Sequence, residues 1–402
     1  MLTPITGQER IASLDIIRGF ALFGIFLVNF PSFHPADYPA LMFSLDPGYT
    51  GLDRGIRLFY DMFVQTKFYT IFSFLFGLGF YIFMERAEKR GLSVYSLFTR
   101  RLLALLVFGL LHLIFFWYGD ILHTYALAGF MLLLFYRRRN GIILAWAFGL
   151  LIFILSLTTL PLFFSDELYG SLQQEQQALG QQEIKKTMEI YEHASYLEWV
   201  AYRFSAEVSD ILSNAPLTVA SILPLFLFGL YAGRKEVFHE PAHHTRFIWV
   251  TWLGTLMISI PLVSMVFAVE YDIVSFGIAK LDAKRLFIQL SGLTLCFFYM
   301  SSLLLLMRNK LARTFLAPLG YTGRMALTNY LGQTIIALIL MRGFGLFETF
   351  TLSIGLIICI AVYALQILFS FYWLRFFRFG PLEWIWRSIT YGALQPIKIV
   401  DK

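Results

Sequence analysis

A chain of 402 residues, 58% hydrophobic, 18% aromatic and only 14% charged, cannot hide its apolar surface in one water-soluble core, because soluble domains average about 45–50% apolar and about 25% charged residues. It reads as an integral membrane protein. The net charge of +6 does not point to nucleic acid: the basic residues lie in short loops beside hydrophobic runs, where they set orientation.

The N-terminal stretch MLTPITGQERIASLD is polar and lacks a cleavable signal pattern, so the first hydrophobic helix is expected to stay in the mature protein. A membrane-spanning helix needs about 20 mostly apolar residues. Ten such spans are predicted, roughly at 14–33, 66–85, 97–118, 120–136, 141–164, 216–234, 246–268, 284–307, 316–341 and 349–377. The second, fourth, sixth and eighth loops (MERAEKRGLSVYSLFTRR, YRRRNG, GRKEVFHEPAHHTR, MRNKLAR) and both termini are basic. The first and fifth loops are richer in acid. Basic loops stay in the cytoplasm, which predicts an all-α polytopic fold with both termini inside. Residues 53–68 have the pattern of an amphipathic helix on the outer surface. Residues 171–210 read as one or two outer helices, with a solvated lid as the plainest role. The chain forms one transmembrane domain over residues 1–402, with an extracytoplasmic helical insertion at about 165–215. It shows no defensible internal repeat, low-complexity tract or dividing linker.

Ionisable groups at membrane depth are costly and turn toward a bundle interior, a cavity or each other. In the first span Asp15 and Arg18, three apart, share a helix face and can pair. Either they orient the helix, or Arg18 holds a phosphate or carboxylate through its planar fork. Asn29 lies in the outer third of that helix and His34 at its outer mouth. The hairpin 100–130 carries His112, the turn Gly119-Asp120 and His123. Asp120 is either a helix cap or the orienter of an imidazole base. Two histidines and an aspartate are also a conceivable metal set, but no zinc-type spacing accompanies them; no metal is expected. In LGYTGRMALTNYLGQT, Arg324, Thr328, Asn329 and Gln333 form a polar stripe on one apolar span, with Arg324 and Thr328 facing the same way. In FGPLEWIWRSITYG, Glu383 and Arg387 are four apart and the tryptophans suit the interface. Cys296 and Cys359 are too few for a disulfide framework or a zinc site. Together these groups suggest an inner basic vestibule lined by Arg18, Arg324 and Arg387, and an outer group of His34, His112, Asp120 and His123.

The segments RIASLDIIRGFALFGIFLVNF, FYTIFSFLFGLGF, RRLLALLVFGLLH with YGDILHTYALAG, GRMALTNYLGQT and GPLEWIWRSITYG, spread over about residues 10–395, resemble the YeiB family, bacterial inner-membrane proteins carrying the domain of unknown function numbered 418. LDIIRGFAL alone is similar to the opening helix of the transmembrane acyltransferases, which take an acyl group from cytoplasmic acyl-CoA to an acceptor across the membrane. Arg18 falls at their motif arginine. Eleven positions on, where the acyltransferase-three enzymes carry a catalytic histidine, stands Asn29; the heparan glucosaminide acetyltransferase looks similar there, and His34 is then the nearest histidine. The resemblance implies acyl-CoA as co-substrate without a tightly bound cofactor, a membrane lipid as partner, and a bacterial inner-membrane location. On this reading His112, His34, Asp120 and His123 are the catalytic candidates. Asp15, Arg18, Asn29, Arg324, Thr328, Asn329, Glu383 and Arg387 are the substrate-binding ones. A transporter or flippase, with the same charges marking a solute path, and a non-catalytic lipid-binding protein are the alternatives. A homodimer is left open.

Overall fold

A computed structural model describes residues 11–238 and 243–399. Residues 239–242 of the expected sixth loop, and Lys402 of the tail, lie outside the described residues. The α-helices in chain order are α1 (Ala12–Asn29), α2 (Asp37–Met42), α3 (Gly51–Phe63), α4 (Lys67–Lys89), α5 (Val94–Phe115), α6 (Leu122–Leu133), α7 (Asn140–Thr159), α8 (Asp166–His193), α9 (Tyr196–Arg203) and α10 (Ser209–Ser213). There follow α11 (Ala215–Arg234), α12 (Thr245–Glu270), α13 (Lys280–Leu306), α14 (Lys310–Arg324), α15 (Ala326–Leu338), α16 (Leu352–Phe376) and α17 (Pro381–Tyr391). Among the described residues, eight helices are long and apolar enough to cross a membrane. The other two expected spans are α6, which is short, and the segment expected at 316–341, which is broken.

That break falls at Met325, whose φ of −116° and ψ of 36° leave the helical region. The membrane-crossing piece is α15 with the helical turn Ile339–Gly343. Its first amides meet Glu383 of α17. At its far end Arg342 donates to the carbonyls of Tyr191 (3.0 Å) and Ala194 (2.5 Å) in the insertion. α14 therefore stays on the α17 side, packed on α1. There a Cβ on Gly19 would strike the Leu319 carbonyl, and one on Gly323 the Asp15 carbonyl. Small residues allow this approach, which matters in lipid because apolar contact alone gives helices little reason to associate.

The loops sort themselves by side. Among the basic ones, Tyr136 and Arg137 reach Glu88 at 2.7 and 3.3 Å, Arg234 donates to Asn140 Oδ1 at 2.9 Å, and Arg308 to Thr245 Oγ1 at 2.5 Å. On the opposite side, Tyr38 donates to Asp210 (3.0 Å), Arg54 to Glu270 (3.1 Å) and Tyr196 to the Phe115 carbonyl (2.6 Å). Even and odd loops thus segregate, as the charge pattern requires for termini on the inner side.

The outer insertion is docked rather than free. Arg203, 1% exposed, pairs with Glu207 at 2.6 Å and donates to the Leu113 and Ile114 carbonyls at 3.0 and 3.4 Å. Those carbonyls end α5 and have no helical partner, so a cation satisfies them. α3 is held to α13 by Asp61, fully buried, which meets Lys284 of α13 (2.7 Å) and Arg57 of its own helix (3.0 Å). Two large apolar clusters form most of the core, beside a small third one of Leu58, Val266 and Ile288. One is built chiefly on α1, α4, α13, α15 and α16, the other on α4, α5, α6, α7 and α11; Phe72, Ile121 and Leu122 pack against both.

Candidate functional site

The seam between the two large clusters holds a cavity of about 330 Å³, which runs along α1 and α4. On α4 it touches Phe72, Leu75, Phe76, Gly79, Phe83 and Arg86, one face of a helix read at intervals of three and four. On α1 it touches Leu14, Asp15, Arg18, Leu22 and Ile25. At 1.5 Å per residue, Phe72 to Arg86 spans about 21 Å, so the cavity is a shaft reaching well into the membrane.

Its inner half is cationic. Arg18, Arg86, Arg101, Arg324 and Arg387 all line it, against the carboxyls of Asp15 and Glu383. Asp15 and Arg18 pair at 2.9 Å, as their spacing predicts. Arg101 lies over the Trp386 ring with its guanidinium carbon 3.7 Å from the centroid, and Trp386 Nε1 donates to the Arg101 carbonyl at 2.8 Å. Arg387 lies over Phe379 at 4.5 Å. Such stacking keeps a guanidinium flat and its N–H fork directed. Glu383 has a different task. Its Oε1 accepts the Leu327 and Thr328 amides at 2.7 and 3.1 Å, and its Oε2 accepts the Thr328 hydroxyl at 2.6 Å. A residue 56 positions downstream thereby caps the N-terminus of α15. Burial pushes its carboxyl above the usual range, against the pull of these bonds.

The break at Met325 corrects the expected stripe. Arg324 and Thr328 do not share a helical face: Arg324 lines the shaft and Thr328 belongs to the Glu383 cap. Asn329 and Gln333 turn away toward α16. Asn329 Nδ2 donates to Ser370 Oγ and Gln333 Nε2 to Gln366 Oε1, both at 2.9 Å, and Gln366 returns a bond to the Asn329 carbonyl at 2.9 Å. They bind helices together rather than facing the cavity. Asn29 is half-buried near the outer end of α1 and is not part of the shaft wall.

Directly above the shaft sits the second polar group. A Cβ on Gly109 would run into the His123 backbone nitrogen, so α5 and α6 touch at that glycine and bring His112 to Asp120. Asp120 Oδ1 meets His112 Nδ1 at 2.7 Å; Oδ2 meets His123 Nδ1 at 2.7 Å and the His123 amide at 2.9 Å. With the carboxylate accepting from both rings, each Nε2 is left as an acceptor. His112 Nε2 lies 2.9 Å from Thr334 Oγ1, and His123 Nε2 lies 3.2 Å from Thr124 Oγ1. All five side chains are buried. The roof of the shaft is Ile121, Leu122 and Tyr330. The first two are the residues between Asp120 and His123, and the Tyr330 ring lies 5.4 Å from that of His112.

His34 does not join this group. Its Nδ1 accepts the Ala36 amide at 3.2 Å and its ring lies beside Phe350, so it shapes the outer turn. The expected outer foursome is three residues. Arg86 and Arg101, on the other hand, belong to the shaft although the sequence offered them only as inner-loop charges; the interval Phe98, Arg101, Leu105 on one face of α5 was the available signal. Thr334 and Tyr330 carried no such signal.

Comparison with known proteins gives a consistent relationship. The family model described as "Protein of unknown function (DUF418)" matches residues 232–393, which includes Arg324, Glu383 and Arg387. The chain is 35% identical to the uncharacterized protein YxaH of Bacillus subtilis (strain 168), with 98% of each chain covered. It is 33% identical, again over 98% of each, to an uncharacterized 39.9 kDa protein encoded in the amylase 3' region of Bacillus acidopullulyticus. To the uncharacterized YeiB of Escherichia coli (strain K12) it is 27% identical over 97% of this chain and 98% of the other. No solved structure matches. With its multi-pass helical architecture and full-length relatives in bacteria, the chain belongs to the DUF418 family, alongside YxaH and YeiB.

Proposed function

We propose that this protein is an acyltransferase-like enzyme of the bacterial inner membrane, moving an acyl group from cytoplasmic acyl-CoA to a lipid or glycan hydroxyl nearer the outer face. The observation that carries the reading is the stacking of two chemistries along one axis: a shaft whose inner half is lined by arginines, and a hydroxyl–imidazole–carboxylate series at its roof. Arg18, Arg86, Arg101 and Arg387 suit the phosphates of a CoA. Asp120 fixes the His112 tautomer so that Nε2 is basic. In the transfer, an acceptor hydroxyl takes the place of the Thr334 hydroxyl at Nε2 and gives up its proton as its oxygen bonds to the thioester carbonyl. The carbon–sulfur bond then breaks, and the thiolate leaves with the proton held by the imidazolium. Geometry favours His112 over His34 for this role, because His34 stands apart from both the shaft and Asp120.

Transport is the second reading, favoured by one observation. The chain is interrupted at Met325 where it borders the cavity, and interrupted helices are where many transporters place their solutes. The two readings separate with purified protein in nanodiscs and CoA thioesters labelled in the acyl group. Transfer to lipid that is lost in His112→Ala and kept in His34→Ala supports the enzyme. Absence of CoA binding together with solute uptake in proteoliposomes supports transport.

A further inference from the structure

The shaft is divided by polarity. Its charges are confined to the inner half: Arg86 lies in the last turn of α4, Arg101 about two turns into α5, and Asp15 and Arg18 in the first two turns of α1. Beyond Arg18 the α1 face is Leu22 and Ile25; beyond Gly79 the α4 face is Phe76, Leu75 and Phe72. Both apolar stretches cover seven residues, about 10 Å of helix. A chamber of that kind, apolar up to Ile121 and Leu122, has little to offer a polar solute and a hydrophobic gain to offer a chain.

We propose that the shaft binds a single-chain amphiphile, with a phosphate-bearing head among the arginines and a medium-length apolar chain rising between α1 and α4, and that Gly79 keeps the chain's passage open. Gly79 is singular among the shaft residues. It lies on the cavity wall at the change from charged to apolar, and a Cβ placed there would meet nothing within 4 Å. Gly77, two residues earlier, instead contacts the Phe226 backbone of α11. A glycine in a helix interior is unfavourable relative to alanine, and here helix packing does not require one; an open bore does. The inference goes beyond the acyl-transfer reading and does not rest on it: a chain that fills the apolar stretch keeps its head at the level of Gly79 and Arg18, about 10 Å short of the roof.

The experiment is equilibrium binding to the full-length protein in nanodiscs, with CoA, acetyl-CoA, octanoyl-CoA, lysophosphatidic acid and lysophosphatidylcholine of matched chain as probes. Affinity is expected to rise with chain length by up to about fourfold per methylene, and lysophosphatidylcholine is expected to bind at least tenfold more weakly than lysophosphatidic acid. Gly79→Leu should weaken octanoyl-CoA and lysophosphatidic acid at least tenfold; Arg101→Gln should weaken both CoA and lysophosphatidic acid. Octanoyl-CoA binding with lysophosphatidic acid excluded assigns the head to a nucleotide thioester. The reverse assigns it to a lipid. Either supports the amphiphile site. Affinity independent of chain length, or untouched by Gly79→Leu, overturns it. Chain-dependent binding without any acyl transfer leaves this inference standing and removes the enzyme reading.

Discussion

The inner and outer halves of the molecule put their charges to opposite ends. Outside, each charge is closed by a neighbour: Asp61 by Arg57 and Lys284, Glu207 by Arg203, Asp120 by two histidines. Inside, five arginines face one cavity with two carboxyls, one of which is engaged in capping α15. A charge whose partners are protein holds the fold together. Charges gathered around a space present one sign of field to whatever enters it.

The sharpest way to break this contrast is to remove an outer charge. Arg203→Ala leaves Glu207 buried and the α5 carbonyls uncapped, and should lose about 3–5 kcal/mol, read as a large fall of melting temperature in detergent. Arg203→Leu with Glu207→Leu should recover much of it. Next comes the inner half: Arg101→Gln or Arg387→Gln should change stability by no more than about 1 kcal/mol and weaken phosphate-bearing ligands about tenfold or more in a binding titration. Equal destabilisation in both halves would erase the distinction. Glu383→Ala, which uncaps α15, should cost about 1 kcal/mol in the same melting assay. The smallest effect belongs to His34, an outer residue of the turn after α1. Burial, outweighing the nearby Asp37, lowers its pKa from 6.5, so the folded protein binds this proton less readily than the unfolded chain. Stability from this site is complete above 6.5 and falls as the pH drops through the folded-state value; His34→Phe should flatten that part of the melting profile.

What could be read in advance depended on how local the cause was. The spans and their sides follow from hydropathy and from the arginines and lysines of single loops, so boundaries such as 216–234 and 349–377 match α11 and α16 within a few residues. Asp15–Arg18 and Asp120–His123 were legible because a helix or turn fixes residues three apart. The Glu383 cap was not, since its partners are 55 and 56 residues away. Nor was the Met325 break, where the residues flanking it are ordinary helix formers and only the cap in another helix makes the interruption stable. Arg101 was hidden by its neighbour: Arg100 is exposed while Arg101 is half-buried, and a pair of arginines at an inner helix end is fully accounted for by orientation alone.

One feature of α6 reaches beyond the site. Its 12 residues measure about 18 Å, well short of a hydrocarbon layer of about 30 Å, and the charged half of the shaft reaches inward as far as Arg18. The insulating thickness between Arg18 and the outer turn is therefore a fraction of the bilayer. The transmembrane voltage drops over that thin septum, so a proton or anion crossing it would feel most of the field, about 2.3 kcal/mol per charge for each 100 mV, within a few side-chain lengths.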